Sequence, residues 1–253
     1  MFKFWQRFIF EMTFAIGSDP WKQTSSYQQT KYQQTLDRLG TIPIKHALEI
    51  GCAEGHFTVQ LATHVDSLIA ADISQIATAR AKARCALSKL ENVSFVNLDL
   101  SSDPLPGSFD LIVCSEVLYY INGQTALQAV ARKIVDALKP GGYLLTAHAN
   151  RVDQEPERTN FDWILPFGAE LIGLTLANTF PLRLIEELRT PLYRIQIFQC
   201  DCATMPSPSG PPKLVEMEQS ILPLPENGIL SEFSLAFLYN QLQHWRMKYQ
   251  VKK

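Results

Sequence analysis

Between residues 46 and 148 apolar runs of strand length alternate with apolar positions at helical spacing. Ala47, Leu48 and Ile50 read as the end of a buried strand. Gly51, Ala53 and Gly55 then make a turn of small residues, and Phe57, Leu61 and Val65 follow at helical spacing. Ser67–Asp72 is a second apolar strand ending in a carboxylate, with Ser74 placed to cap the next helix. A third strand spans Asn92–Leu100. Its apolar Val93, Phe95, Val96 and Leu98 predict burial on both faces. A fourth is Phe109–Cys114. Leu127, Val130, Ala131, Ile134, Val135 and Leu138 trace one face of an amphipathic helix, which Pro140-Gly141-Gly142 is expected to end before a fifth strand, Tyr143–His148.

The pattern then changes. Residues 149–165 are polar and read as an excursion above the sheet; a helix is expected from Phe167 to Ala177 and strands at Leu182–Leu188 and Tyr193–Cys200. The last alternates, with Tyr193, Ile195 and Ile197 set against Arg194 and Gln196, which predicts a final antiparallel strand open to water on one side. The fold expected is α/β: a Rossmann-like, doubly wound, mostly parallel seven-stranded sheet with a final antiparallel strand, an N-terminal helical lid and a C-terminal helical extension. Residues 1–40 form the N-terminal segment, 41–202 the catalytic domain, 203–228 a Pro/Ser-rich linker and 229–253 the C-terminal helix. That last helix is apolar on two sides (Leu235, Leu238, Leu242 and Trp245; Leu230, Phe233 and Phe237) and asks for a docking surface on this chain or a partner. In the N-terminal segment, Asp19-Pro20-Trp21 reads as a helix start, and Tyr27 and Lys31 share a helical face. The segment reads equally as a lid or as a packing helix with Trp21 in the core.

Composition removes several classes. A net charge of −2 gives no electrostatic footprint for nucleic acid. Lys3, Arg7 and Glu11 interrupt the apolar start, which excludes a signal peptide and leaves a packing helix ahead of peripheral membrane contact, and no stretch has the length of a membrane span. Five scattered cysteines, Cys52, Cys85, Cys114, Cys200 and Cys202, show no metal-site or disulfide spacing; no metal is expected, and a reducing cytoplasm is the simplest setting.

The chemistry turns on residues 46–58. A dinucleotide fingerprint needs three glycines where this chain has Gly51, Ala53 and His56, and Glu54 places a negative charge where phosphates would lie. No Gly-Lys-Ser/Thr follows, so a P-loop fails as well. A plain strand-to-helix turn remains one reading. Glu49-x-Gly51-x-Ala53-x-Gly55 instead resembles motif I of class I S-adenosylmethionine-dependent methyltransferases, with alanine at the usual middle glycine. That ligand has no phosphate, and its ammonium and carboxylate suit acidic side chains and backbone N–H groups. Asp72, some twenty residues on, is placed to accept from ribose hydroxyls, or else to cap a helix. Ser115 to Tyr120 follows strand four and His148 ends strand five. Glu116 is a candidate to orient or deprotonate an acceptor, Tyr119 and Tyr120 to line its site, and His148 to serve as base. The plainer alternatives are a hydrogen-bonded histidine and core tyrosines.

Asp19-Pro-Trp21, Ser26-Tyr27, Lys31-Tyr32, Ala47–Thr58, Asp72-Ile73-Ser74, Phe109–Val113 and Ser115–Tyr120 together resemble the nodulation-protein-S (NodS) type of methyltransferase, from about Asp19 to His148 and more faintly to Cys200. The resemblance implies S-adenosyl-L-methionine as cofactor. It implies donor contacts at Glu49, Gly51, Ala53, Gly55, Asp72, Ile73, Asp99 and Leu100, with Ser115 beside them. Trp21, Tyr27 and Lys31 match the segment that covers the site, and Glu116 and Tyr120 the acceptor side. The family's named member N-methylates a deacetylated chito-oligosaccharide amine, so a small-molecule acceptor, an amino sugar or oligosaccharide, is implied here. The 149–165 excursion and the tail beyond Cys202 have no match. Two competing readings are a non-catalytic donor-binding or assembly module and an NAD(P)-dependent oxidoreductase.

Overall fold

Leu48, Leu111, Ile112, Leu144 and Leu145, all fully buried, mark the centre of one mixed sheet. The structure, a computed structural model, describes residues 2–40, 42–150, 167–201 and 210–217, with side chains from residue 6 onward. Its strands are β1 (His46–Ile50), β2 (Ser67–Asp72), β3 (Val93–Asn97), β4 (Phe109–Ser115), β5 (Leu138–Ala149), β6 (Leu182–Arg189), β7 (Tyr193–Cys200) and β8 (Lys213–Glu216), in the order β3-β2-β1-β4-β5-β7-β6-β8. Only β7 runs against the others: it pairs antiparallel with β5 and β6, whereas β1 to β5 pair in parallel and β8 lies parallel to β6. The chain order reverses between β1 and β4. That is the switch point of a doubly wound sheet, where a crevice opens beyond the strand ends.

Helices α1 (Phe2–Ile16), α2 (Ser26–Asp37), α3 (Thr58–Leu61), α4 (Gln75–Leu87), α5 (Gln124–Ala137) and α6 (Ala169–Ala177) complete the described elements. Leu127, Val130, Ala131 and Ile134 of α5 are buried, as their spacing predicts. Ser74 caps α4, its hydroxyl accepting from the Ala77 amide at 3.1 Å.

Four expectations are corrected. Pro140-Gly141-Gly142 does not end α5: the chain turns straight into β5 at Leu138, and the glycines lie in the strand beside a register shift between Phe109 and Leu111. A Cβ on Gly142 would fall 2.9 Å from the Lys139 carbonyl oxygen and 3.0 Å from that of Phe109, so glycine there serves a close crossing. β3 is not buried on both faces. It is the sheet's edge, and Val93, Phe95 and Val96 are only half-buried. β7 is not open to water, because β5 and β6 flank it and α6 covers it; Gln196 is buried, donating to Glu187 Oε1 at 2.8 Å. β8 lies inside the stretch expected to be linker and adds an eighth strand. The 151–165 part of the polar excursion and the C-terminal helix expected over 229–253 lie outside the described residues. Among the described residues no helix is long and apolar enough to cross a membrane.

α1 packs on α4, as the packing-helix reading expects. The Glu11 carboxylate accepts from the Ser74 hydroxyl at 2.6 Å and from the amides of Gln75 and Ile76 at 2.7 and 3.2 Å. Burial pushes its pKa up, but these donors and the Arg7 charge leave it lowered overall, so the ionised form serves the helix N-terminus at neutral pH. Glu11→Ala is expected to lower unfolding stability by about 1 kcal/mol, the usual loss for a capping group. Urea denaturation at pH 7 and pH 4 checks it: a depressed carboxyl pKa makes the difference shrink as pH falls.

Candidate active site

The cavity opens at the carboxyl ends of β1, β2 and β4, beneath α1, α2 and the loop between them. It encloses about 1010 Å³, its open mouth included. Of the residues singled out in the sequence, Trp21, Gly51, Ala53, Asp72, Ile73, Asp99, Leu100, Ser115, Glu116 and Tyr120 line it.

The floor is the glycine turn. Gly51, Ala53 and Gly55 all have positive φ (80°, 48° and 80°). A Cβ on Gly55 would sit 2.9 Å from the Ala81 backbone, and one on Gly51 3.0 Å from the Val117 side chain. Gly55 is therefore required for packing against α4 and does not line the cavity. The turn spends its amides internally: Gly51 and Cys52 donate to the Ala71 carbonyl, Gly55 donates to that of Cys52, and Ala53 donates to Asp72 Oδ2 at 2.9 Å. The expectation that turn amides receive a ligand carboxylate is corrected at these four positions. Glu54 is turned away as well, accepting from the Asp19 amide at 2.7 Å and pairing with Arg80 at 2.5 Å.

Asp72 closes β2. Its Oδ1 accepts from the Ser74 amide and its Oδ2 from Ala53, and the carboxylate lines the cavity. Burial pushes its pKa up to about 6, the backbone donors opposing and the Glu11 charge adding to the rise. Glu49, also expected at the ligand, is buried behind the wall, its Oε2 without a partner among the described residues. Burial, moderated by the Thr58 hydroxyl and reinforced by Asp72, raises its pKa to about 7.

The roof comes from the N-terminal segment. Asp19-Pro20-Trp21 does not start a helix. Asp19 has φ 49° and its carboxylate accepts from the Gln23 and Thr24 amides, holding a tight turn, while α2 begins at Ser26 with Ser25 as its cap. Trp21 Nε1 donates to the Tyr120 hydroxyl at 3.2 Å, and Gln6 Nε2 donates to the Tyr120 carbonyl at 3.0 Å. The Phe10 ring stands edge-on to Tyr120 at 5.1 Å, and Phe14 packs on Trp21 at 5.0 Å. Phe10, Phe14, Gln6, Gln23, Gln28, Tyr32 and Phe57 all line the cavity and were missed in the sequence. The aromatic spacing of Phe10 and Phe14 was legible as a helical face, but nothing local says what that face covers.

The far wall is Glu116, at φ 54° where non-glycine residues are uncommon. Lys31 Nζ donates to its Oε1 at 2.6 Å, and the Tyr119 hydroxyl donates to its Oε2. Lys31 is 1% exposed, and its ammonium lies 4.9 Å from the Tyr27 ring centroid and 5.6 Å from that of Tyr193. Burial lowers the Lys31 pKa against the pull of Glu116. Lys31 and Tyr27, expected with Trp21 in the segment that covers the site, therefore stand behind Glu116 rather than in the cavity wall. His148 is corrected too. Its Nε2 accepts from the Leu118 and Val117 amides at 3.1 and 3.4 Å, and burial, with the Lys31 charge adding, pushes its pKa to about 3. A neutral ring whose lone pair holds the 116–120 turn positions Glu116 and is not a base for a ligand.

The nodulation protein S (NodS) family model matches residues 9–190. Nodulation protein S of Sinorhizobium fredii is 32% identical over 165 residues, 64% of this chain and 73% of that protein. Nodulation protein S of Bradyrhizobium diazoefficiens is 36% identical over 145 residues, 56% of this chain and 67% of that protein. The crystal structure of the N-methyltransferase NodS from Bradyrhizobium japonicum WM9 in complex with S-adenosyl-L-homocysteine superposes with a TM-score of 0.64 at 28% identity, covering 76% of this chain and 96% of that one.

Proposed function

The chain belongs to the nodulation protein S family of S-adenosylmethionine-dependent methyltransferases, and from that premise we propose that it methylates the amine nitrogen of a small acceptor, an amino sugar or an oligosaccharide carrying a free amine. The observation that carries this is the Glu116 carboxylate in the cavity wall, backed by the Lys31 ammonium. The named relative supports nitrogen as the target: the matched Bradyrhizobium japonicum protein is an N-methyltransferase.

The residues fit the donor. Asp72 offers a carboxylate at the end of β2, Gly51 keeps the floor low against Val117, and Gln28 presents a buried amide oxygen without a partner among the described residues. When bound, the donor supplies a methyl group already activated on a positively charged sulfur, so the protein's work is mainly placement. Asp72 would hold the ribose hydroxyls, and Ile73, Asp99 and Leu100 would take the base. Trp21 and Tyr120, joined by their hydrogen bond, exclude water above. Glu116 accepts an N–H of the incoming amine, which turns the nitrogen lone pair toward the methyl group and gives the departing proton a place to go. Because Lys31 already balances that carboxylate, the site suits a neutral amine rather than an ammonium. Residues 1–40 act as the lid over both substrates. Cys52, Cys85 and Cys114 are buried thiols, which fits a reducing cytoplasmic setting.

The test is transfer of a labelled methyl group to three matched saccharides, one ending in a free amine, one N-acetylated, and one with hydroxyl at that carbon. Label on the free amine alone is expected. Equal labelling of the hydroxyl compound would overturn the nitrogen assignment, and donor binding with no labelling of any of the three would point to the donor-binding module.

A further inference from the structure

Gln28 has a buried carbonyl oxygen with nothing among the described residues to bond. The residue is 6% exposed, it lines the cavity, and its Oε1 has no hydrogen-bond partner among the described residues. Leaving a buried acceptor unpaired is costly, and such groups are normally satisfied by a ligand or water. An amide oxygen accepts only, so what completes it must carry an N–H or O–H.

The position of Gln28 narrows the choice. It stands on the buried face of α2, one turn before Tyr32 and three residues before Lys31. Tyr32 packs on Phe57, just past the glycine turn, with ring centroids 4.9 Å apart. Lys31 reaches the other way, to Glu116. Gln28 thus lies over the stretch between the glycine turn and the acceptor wall. The Tyr32 phenol is pushed up by burial, with the charges of Glu49, Glu116 and Asp19 adding to the rise and the Gln23 side chain opposing it. On the methyl-donor reading, ribose and base are taken by Asp72, Asp99 and Leu100. The arm left to fill the Gln28 end is the amino-acid part of the donor, and its only strong hydrogen-bond donor is the α-ammonium.

We infer that Gln28 is a donor-specificity residue, its Oε1 accepting an N–H of the α-ammonium of S-adenosylmethionine. This rests on the methyl-donor reading of the cavity, and goes beyond it by assigning a neutral side chain on the N-terminal helix to the amino-acid arm.

Two ligands separate the possibilities: S-adenosylhomocysteine, which carries the arm, and 5′-methylthioadenosine, which keeps adenosine and sulfur but lacks it. Calorimetry on the full chain compares wild type with Gln28→Met, which keeps length and helix propensity, and with Gln28→Glu, which keeps an acceptor. Gln28→Met is expected to weaken S-adenosylhomocysteine about tenfold, the scale of one hydrogen bond to a charged group, and to leave 5′-methylthioadenosine within twofold. Gln28→Glu is expected to bind S-adenosylhomocysteine at least as well as wild type. Loss of both ligands together in Gln28→Met while Gln28→Glu also weakens them would mean a structural role and overturn the inference. Unchanged affinity for both in Gln28→Met would place the oxygen against the methyl acceptor and equally overturn it. A wild-type chain that binds neither ligand fails the donor reading itself, a result distinct from either.

Discussion

Glu116→Gln is expected to lower methyl transfer by at least about 100-fold, the low end of what a positioned proton acceptor contributes, while S-adenosylhomocysteine affinity stays within threefold. The substitution keeps the shape of the side chain and its place in the wall. It replaces one accepting oxygen by an NH2 group, so the amide cannot accept from both the Tyr119 hydroxyl and Lys31 while also facing an amine N–H. It also strips the buried Lys31 ammonium of its counter-charge, and breaking a buried pair from one side costs about 3–5 kcal/mol. Lys31→Met is the matching control: it leaves the carboxylate but removes its backing. If the pair acts as a unit, the double variant is not slower than Glu116→Gln alone, because the two losses overlap. Single-turnover assays with saturating donor read the chemical step directly. A Glu116→Gln enzyme that keeps its rate would remove Glu116 from the chemistry.

The sheet was legible because each strand carries its own signal. Ala47 to Ile50, Leu68 to Asp72 and Leu111 to Cys114 are short apolar runs followed by turn residues, and they pair in register as a parallel sheet. Glycine at 51 and 55 reports a backbone that needs positive φ, a local requirement a sequence states openly. Ser74 likewise announces a cap three residues before the amide it bonds. What failed depends on neighbours distant in the chain. β3 reads as buried because its residues are apolar, yet edge position is set by which strand pairs beside it. Gln196 reads as solvent-facing because it is polar, yet it bonds Glu187 across the sheet and packs under Gly173, where an added Cβ would fall 2.4 Å from its amide. Lys31, Tyr27 and His148 were read as ligand contacts since they carry the right chemistry near the right strands. Long-range pairing decides otherwise: Lys31 meets Glu116 across 85 residues of chain, and His148 meets Leu118 across 30. At Lys31 and His148 the fold itself uses the polar group, which chemistry and proximity in the chain do not reveal.

Asp72 tests the donor end by the opposite pattern of ligands. Asp72→Ala is expected to weaken S-adenosylhomocysteine about 100-fold, since two ribose hydroxyls lose a carboxylate at roughly 1.5 kcal/mol each. 5′-Methylthioadenosine carries the same ribose and should fall in parallel, unlike its response to Gln28→Met. The pH dependence separates binding from folding. The Asp72 pKa of about 6 in the fold stands above the roughly 3.9 of an unfolded chain, so the folded protein holds the proton longer. Stability contributed by this group therefore increases as pH drops from about 6 toward 4, because the buried charge is discharged. Ribose hydroxyls need the charged form, so affinity should move the other way, falling by up to about tenfold per pH unit below pH 6. Calorimetry from pH 5 to 8 with urea melts at the same points gives both curves. In Asp72→Ala the affinity curve should lose its step near pH 6 while Glu49, with its own pKa near 7, still shapes the stability curve. Affinity in the wild type that is flat across this range, or a variant that binds within threefold, would mean that the carboxylate closing β2 serves only the Ala53 and Ser74 amides it already holds.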